Sequence, residues 1–221
     1  MAISTWDRWQ TARYNAYRWR YELSLIKKIA LALGVACAIG LAAQLRVPLP
    51  WTPVPISGQT FAVLLVGVLL GRWWGGISLV IYAGLGAAGV PWFTGWAGGI
   101  GHLAGPTGGY IIGFILAALF LGHFTDKYIR SRSFLSMLGL MLFANFVLIY
   151  IPGLLQLYLW LNLVNGEAFG FYQVLVMGCF PFVAGDVIKA VAAAAVARGV
   201  TPKQAYNGEV DKDKWASWRI P

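Results

Sequence analysis

The sequence predicts an all-α, polytopic membrane protein with six transmembrane helices and both termini in the cytoplasm. Three observations carry that prediction. Hydrophobic residues make up 59% of the 221 and charged residues 11%, where a soluble domain is about a quarter charged. Apolar runs recur at 29–45, 61–71, 77–90, 110–122, 134–161 and 182–197, several close to the roughly 20 residues that cross a bilayer as a helix. Threading those runs from an inside N-terminus puts all of the 17 Lys and Arg residues inside except Arg46 and the mid-span Lys189. That is the positive-inside bias. The net charge of +9 is therefore an orientation signal, and no nucleic-acid partner is expected.

The elements follow in order. Residues 1–24 are basic and aromatic, with Trp6, Trp9, Arg13 and Tyr17 at helical spacing. They read either as a helix on the inner headgroup surface or as a partly ordered tail. Residues 25–200 form the membrane domain. Its first helix runs from about Ile26 to Leu45, and the long segment ahead of it, with Asp7 and Glu22, marks an uncleaved span rather than a signal peptide. The closely spaced Pro48, Pro50, Pro53 and Pro55 of 46–60 make a stiff extended connection on the outer face, because proline fixes φ and lacks a donor. A helix at 60–71, an inner turn "GRWWGG" (71–76) and a helix to about Val90 come next. The glycine-rich outer connection 91–109 leads to a helix at 110–124, and "DKYIRSRS" is the basic inner loop. A helix at 134–162 is long enough to tilt or to kink at Pro152. Segment 171–180 is an outer half-helix, and Pro181, favoured at a first helical position, opens the last span. Residues 201–221 are a cytoplasmic tail. Long outer connections opposite short inner ones place function on the outer side.

Asp186 and Lys189 sit in that last span, three residues apart and so on one helix face. A charge deep in a span costs about 2.5–3.5 kcal/mol on insertion scales. The two either tie helices together as an ion pair or face a polar cavity. A buried pair adds little stability over apolar packing, which favours a ligand site. Gly105, Thr107, Gly108, Gly109 and Tyr110 offer backbone donors at a helix N-terminus that suits an anion; close helix packing is the plainer role for such glycines. Gln59, Asn145 and Tyr150 are further polar candidates, Asn145 also as interhelical glue. His102 and His123 read as loop and interfacial residues without a special role, and Cys37 and Cys179 as small packed hydrophobes. Ala32 and Ala36, with Gly40 on the same face, would let another helix approach closely, whether from a partner or from this chain. There is no metal-spaced Cys/His cluster, no phosphate loop and no hydrolase motif. No catalytic residue, metal or cofactor is expected, and the chain does not split ATP by itself.

"PVPISGQTFAVLLVGVLLG" (53–71), "GVPWFTGWAGGIGHLAGPTGGYIIGF" (89–114) and "PFVAGDVIKAVAAAA" (181–195) together resemble the BioY family, the biotin-binding S components of energy-coupling-factor (ECF) transporters. The resemblance covers about residues 28–200 and departs at Ser57-Gly58, where the family usually has Thr and a larger apolar residue. It implies a six-helix protein of the cell membrane with an outward-facing biotin pocket capped by loops, in which Asp186, Lys189, Gln59 and the GPTGGY loop take part. It also implies a membrane T component and two cytoplasmic ABC-type ATPases as partners, which use the ATP, with Ala32 and Ala36 in the docking motif. On this reading Asp186 accepts from a ureido N–H of biotin and Lys189 donates to the ureido oxygen. The tail carboxylate meets residues 105–110 or Gln59. The reverse orientation stays open, and Trp92, Phe93 and Trp96 either wall the thioether ring or anchor the interface. The alternative function is a self-sufficient secondary transporter with Asp186 as proton carrier.

Overall fold

Helices form almost everywhere the apolar runs fall, because backbone groups in lipid have only one another to bond. The computed structural model describes residues 5–164 and 168–215. In chain order the helices are α1 (Thr5–Glu22), α2 (Leu25–Gln44), α3 (Gln59–Leu70), α4 (Arg72–Ala87), the short α5 (Ile100–Leu103), α6 (Gly108–Lys127), α7 (Phe134–Phe143), α8 (Tyr150–Val164), α9 (Phe171–Gly178), α10 (Val183–Val200) and α11 (Lys212–Trp215). A π-helical segment, Ala144–Ile149, joins α7 to α8 without a break, so 134–164 is one 31-residue helix. This helix, α2 and α6 are long and apolar enough to cross a membrane, and α9 with α10, bent by 49°, make a fourth crossing if taken as one broken span. At 12 residues α3 is shorter. It rises about 18 Å at 1.5 Å per residue.

Several boundaries differ from expectation for identifiable reasons. The turn expected over 71–76 is made by Gly71 alone, at φ +80°. Glycine adopts this left-handed conformation without steric cost, so Trp73 through Gly76 are already helical. The Asp126 carboxylate accepts from the Arg72 N–H at 2.9 Å and fastens the turn. The irregularity in the long helix is the π segment, not Pro152, which lies inside α8. Segment 46–60 is not extended throughout. Two short strands, β1 (Arg46–Val47) and β2 (Ile56–Ser57), pair antiparallel with Arg46 opposite Ser57, and the prolines fall in the loop between them. Thr52 Oγ1 donates to Met177 O at 2.7 Å, tying that loop to α9. Ser57-Gly58 has a local cause: a Cβ on Gly58 would stand 3.1 Å from Ala42 O.

The chain thus has two unlike ends. The ribbon end carries β1–β2 and the 91–107 connection. The basic end carries α1, Gly71, the 128–133 turn and residues 201–215. There the N-terminal segment is helical from Thr5, and α1 docks through Tyr17 and Arg20. Trp6 and Trp9 stay exposed. Arg20 donates to Leu69 O at 2.6 Å, pairs with Asp126 at 2.6 Å and donates to Tyr206 OH at 2.8 Å. Residues after 200 fold back onto this end, where fully buried Arg132 pairs with Glu209 and donates to Pro202 O.

Ala32 and Ala36 require a correction. Both are 0% exposed within this chain, on the face of α2 that packs against α3 and α4. They cannot be the surface that a partner grips. The outward face of α2 carries Leu33, Gly34, Cys37 and Leu41, so Cys37 is exposed and not packed.

Candidate functional site

At the ribbon end a cavity opens among α3, α6, α8 and α10, a recess of about 580 Å³ that includes space open to solvent. Val54, Pro55 and Ser57 of the ribbon, Thr94 and His102 border it on the loop side. Its apolar wall comes from Ile111, Phe114, Ile149 and Phe182.

Asp186 lies in the first turn of α10, where the helix dipole favours a carboxylate. Its Oδ1 accepts from Lys189 Nζ at 2.9 Å. Its Oδ2 accepts from Tyr150 OH at 2.7 Å and from Asn145 Nδ2 at 3.2 Å. A carboxylate has about four acceptor positions and an ammonium three donors. One position on Asp186 and two on Lys189 are therefore left beyond these bonds. Both residues line the cavity, with Asp186 buried and the Lys189 side chain 19% exposed. The π segment explains how Asn145 arrives: the extra residue in the turn re-aims side chains, a common device at functional positions. Asn145 itself does not line the cavity. It holds Asp186 from behind, as interhelical glue would, and its Oδ1 is buried without a partner among the described residues.

The other predicted residues divide. Gln59 lines the cavity, but its amide is engaged: Nε2 donates to Tyr82 OH at 2.8 Å and Oε1 accepts from Thr94 Oγ1 at 3.1 Å. Tyr110 and Thr107 line it too. Tyr110 OH donates to Gly178 O at 2.7 Å, pinning the α9–α10 bend to α6. Gly105, Gly108 and Gly109 are not in the lining. A Cβ on Gly108 would stand 1.7 Å from Leu103 O, and one on Gly109 2.1 Å from Pro152 O. Their role is close packing of α6 against α5 and α8, while Gly105 O accepts from Gln156 Nε2. Of the helix N-terminal donors, Gly108 N–H and Tyr110 N–H already reach Gly105 O and Thr107 O, which argues against an anion seat made from this backbone.

His102 is the residue that sequence reasoning passed over. It borders the cavity, its Nε2 lies 3.3 Å from Thr107 Oγ1, and its ring stacks on Phe93 at 5.1 Å. Burial lowers its pKa from the ordinary histidine value. The available signal was its five-residue spacing from Thr107 across a glycine-bounded turn. Trp92, Phe93 and Trp96 do not line the cavity. Trp92 stacks on Tyr82 at 5.5 Å, Phe93 is buried behind His102, and Trp96 points outward. Tyr110, Phe114, Tyr150 and Phe182 take the aromatic role instead.

These features define a class: a helical membrane protein with a loop-capped cavity in one end of its bundle, apolar on one wall and charged on another. Residues 12–205 match the model of the BioY family. A probable biotin transporter BioY from Methanothermobacter thermautotrophicus is 56% identical over 70% of this chain and 99% of its own length. Another from Pyrococcus horikoshii is 36% identical over 77% of this chain and 94% of its own length. A solved structure of the S-component for biotin from an ECF-type ABC transporter superposes with a TM-score of 0.68 at 26% identity, covering 78% of this chain and 89% of that one. The chain belongs to the BioY family.

Proposed function

We propose that the cavity binds biotin and that the chain is the substrate-binding S component of an ECF-type importer in the cell membrane. The observation that carries this is the Asp186–Lys189 pair on the cavity wall. Its free acceptor position and two free donors match a ureido group, which presents N–H donors beside a carbonyl acceptor. In this reading the ureido ring meets Asp186 and Lys189. The thioether ring lies against Phe114, Ile149 and Phe182. The tail carboxylate points toward His102, Thr107 and Thr60 under the ribbon.

The bundle then crosses the membrane six times, as α2, α3, α4, α6, α7–α8 and α9–α10, with the basic end in the cytoplasm by the positive-inside rule. Both termini follow it there. Having no phosphate loop, the chain depends on a T component and two ATPases for concentrative uptake. The test is purification in detergent with mass spectrometry of co-purified small molecules, followed by titration with biotin. Recovery of unmodified biotin and saturable one-to-one binding are expected. A different ligand, or none together with no biotin binding, would overturn the reading. Biotin accumulation in vesicles holding this chain alone under a proton gradient would replace the ECF assignment with the secondary-transporter alternative.

A further inference from the structure

A second concavity lies at the opposite, basic end, remote from the biotin cavity. It opens between the end of α6, the start of α7 and the returning C-terminal segment, as a shallow recess of about 1620 Å³ that includes space open to solvent. Its polarity is graded. Phe124, Leu140 and Gly139 make the apolar part, and a Cβ on Gly139 would meet nothing within 4 Å. Leu135, 78% exposed, and Val210 continue the apolar wall toward the basic end. Arg130 stands at that end of the groove, exposed, and forms no ion pair among the described residues. Tyr128 lies beside it.

The one carboxylate in this lining, Asp211, is already engaged. Its two oxygens accept the backbone N–H groups of Ile129 and Arg130 at 2.8 and 3.0 Å. Those bonds shape the turn from which the Arg130 side chain projects; Asp211 keeps its charge but makes no ion pair with the Arg130 guanidinium among the described residues. Lys127, also exposed, adds a second positive charge three residues earlier. A groove with an apolar channel along α7 and a free cation at its water-facing end complements an amphiphile with an anionic head. Tyrosine at the boundary between them fits the interfacial level of a bilayer.

We propose that this groove is a binding site for an anionic phospholipid, one acyl chain lying along Leu135, Gly139 and Leu140 and the phosphate resting on Arg130. A zwitterionic lipid of the same chain length fills the same channel but brings its own cation toward Arg130 and Lys127. The site therefore selects by head-group charge.

Native mass spectrometry of the full-length protein, titrated in detergent with phosphatidylglycerol or phosphatidylcholine of identical chains, tests this. Preferential retention of phosphatidylglycerol is expected, and Arg130→Gln should lower that retention about fivefold, the contribution of one basic residue at an anionic headgroup. Gly139→Leu, which fills the channel, should lower retention of both lipids. Biotin titration of each variant checks folding, since neither residue touches the cavity. Equal retention of the two lipids by the wild type, or an unchanged preference in Arg130→Gln, would overturn the proposal. So would a wild type that takes no lipid until residues 216–221 are deleted, because the chain's own tail would then be the occupant.

Discussion

Replacing Asp186 with alanine removes one carboxylate and three contacts together. Lys189 loses its counter-charge at 2.9 Å, and Tyr150 and Asn145 lose their acceptor. Taking away one partner of a buried charged contact costs about 3–5 kcal/mol. Lys189 keeps 19% of its side chain exposed, so water offsets part of its loss and the lower end of that range applies. That penalty falls on the folded protein with or without ligand; for biotin the loss is a charge-assisted acceptor worth about 1.5–3 kcal/mol, about ten- to a hundredfold in Kd. Tyr150→Phe removes only the hydroxyl that orients the carboxylate, a bond worth about 1.5–3 kcal/mol to the fold, and should weaken binding less than Asp186→Ala does. The assay is calorimetric titration of biotin into detergent-purified variants, with thermal unfolding recorded alongside. Asp186→Ala is expected to bind weakest, with Lys189→Ala close to it and Tyr150→Phe between them and wild type. Variants that lose thermal stability while the folded fraction binds biotin at wild-type affinity would refute the reasoning, because the pair would then only tie α10 to α8.

Three further outcomes follow from the packing. Ala32→Trp and Ala36→Trp, both at fully buried positions, should destabilise the fold and impair biotin binding, whereas Gly34→Trp on the outward face, where a Cβ meets nothing, should bind biotin normally; thermal unfolding and titration of the three compare directly. Gly109→Ala places a methyl 2.1 Å from Pro152 O, a backbone atom that cannot swing aside, so it should yield little folded protein by size-exclusion chromatography, while Gly139→Ala should fold as wild type. His102 has its pKa lowered by burial, so the unfolded chain binds its proton more readily. Its contribution to stability is fully present above the unfolded value of about 6.5 and declines as pH falls from there toward the lowered folded value; His102→Asn should flatten that part of the pH profile of thermal stability in ligand-free protein.

Much of this fold is written in local pattern. Apolar runs become helices because lipid leaves the backbone no other partner, and Asp186 and Lys189 meet because residues three apart on a helix share a face. Both facts depend on a few consecutive residues, so reading along the chain finds them. The facing of α2 is different. In water an amphipathic stripe would separate inside from outside, but here both faces are apolar, and small residues occur on each: Ala32 and Ala36 inward, Gly34 and Ala38 outward. Helix association in lipid selects by shape rather than by hydrophobicity, and shape exists only once α3 and α4 are in place. The same holds for contacts between distant segments. Tyr150 and Asn145 reach Asp186 across 36 and 41 residues, and Arg132 reaches Glu209 across 77. The pairing Gly109–Pro152, which turns a candidate anion-binding glycine into a packing one, is likewise long-range. The sequence by itself determined that the chain is a helical membrane protein and that its last long apolar helix carries a charged pair. Only the tertiary structure decided which groups surround that pair, that His102 borders its cavity, and which alanines are buried, because each depends on backbones brought within a few ångströms by helices far apart in the chain.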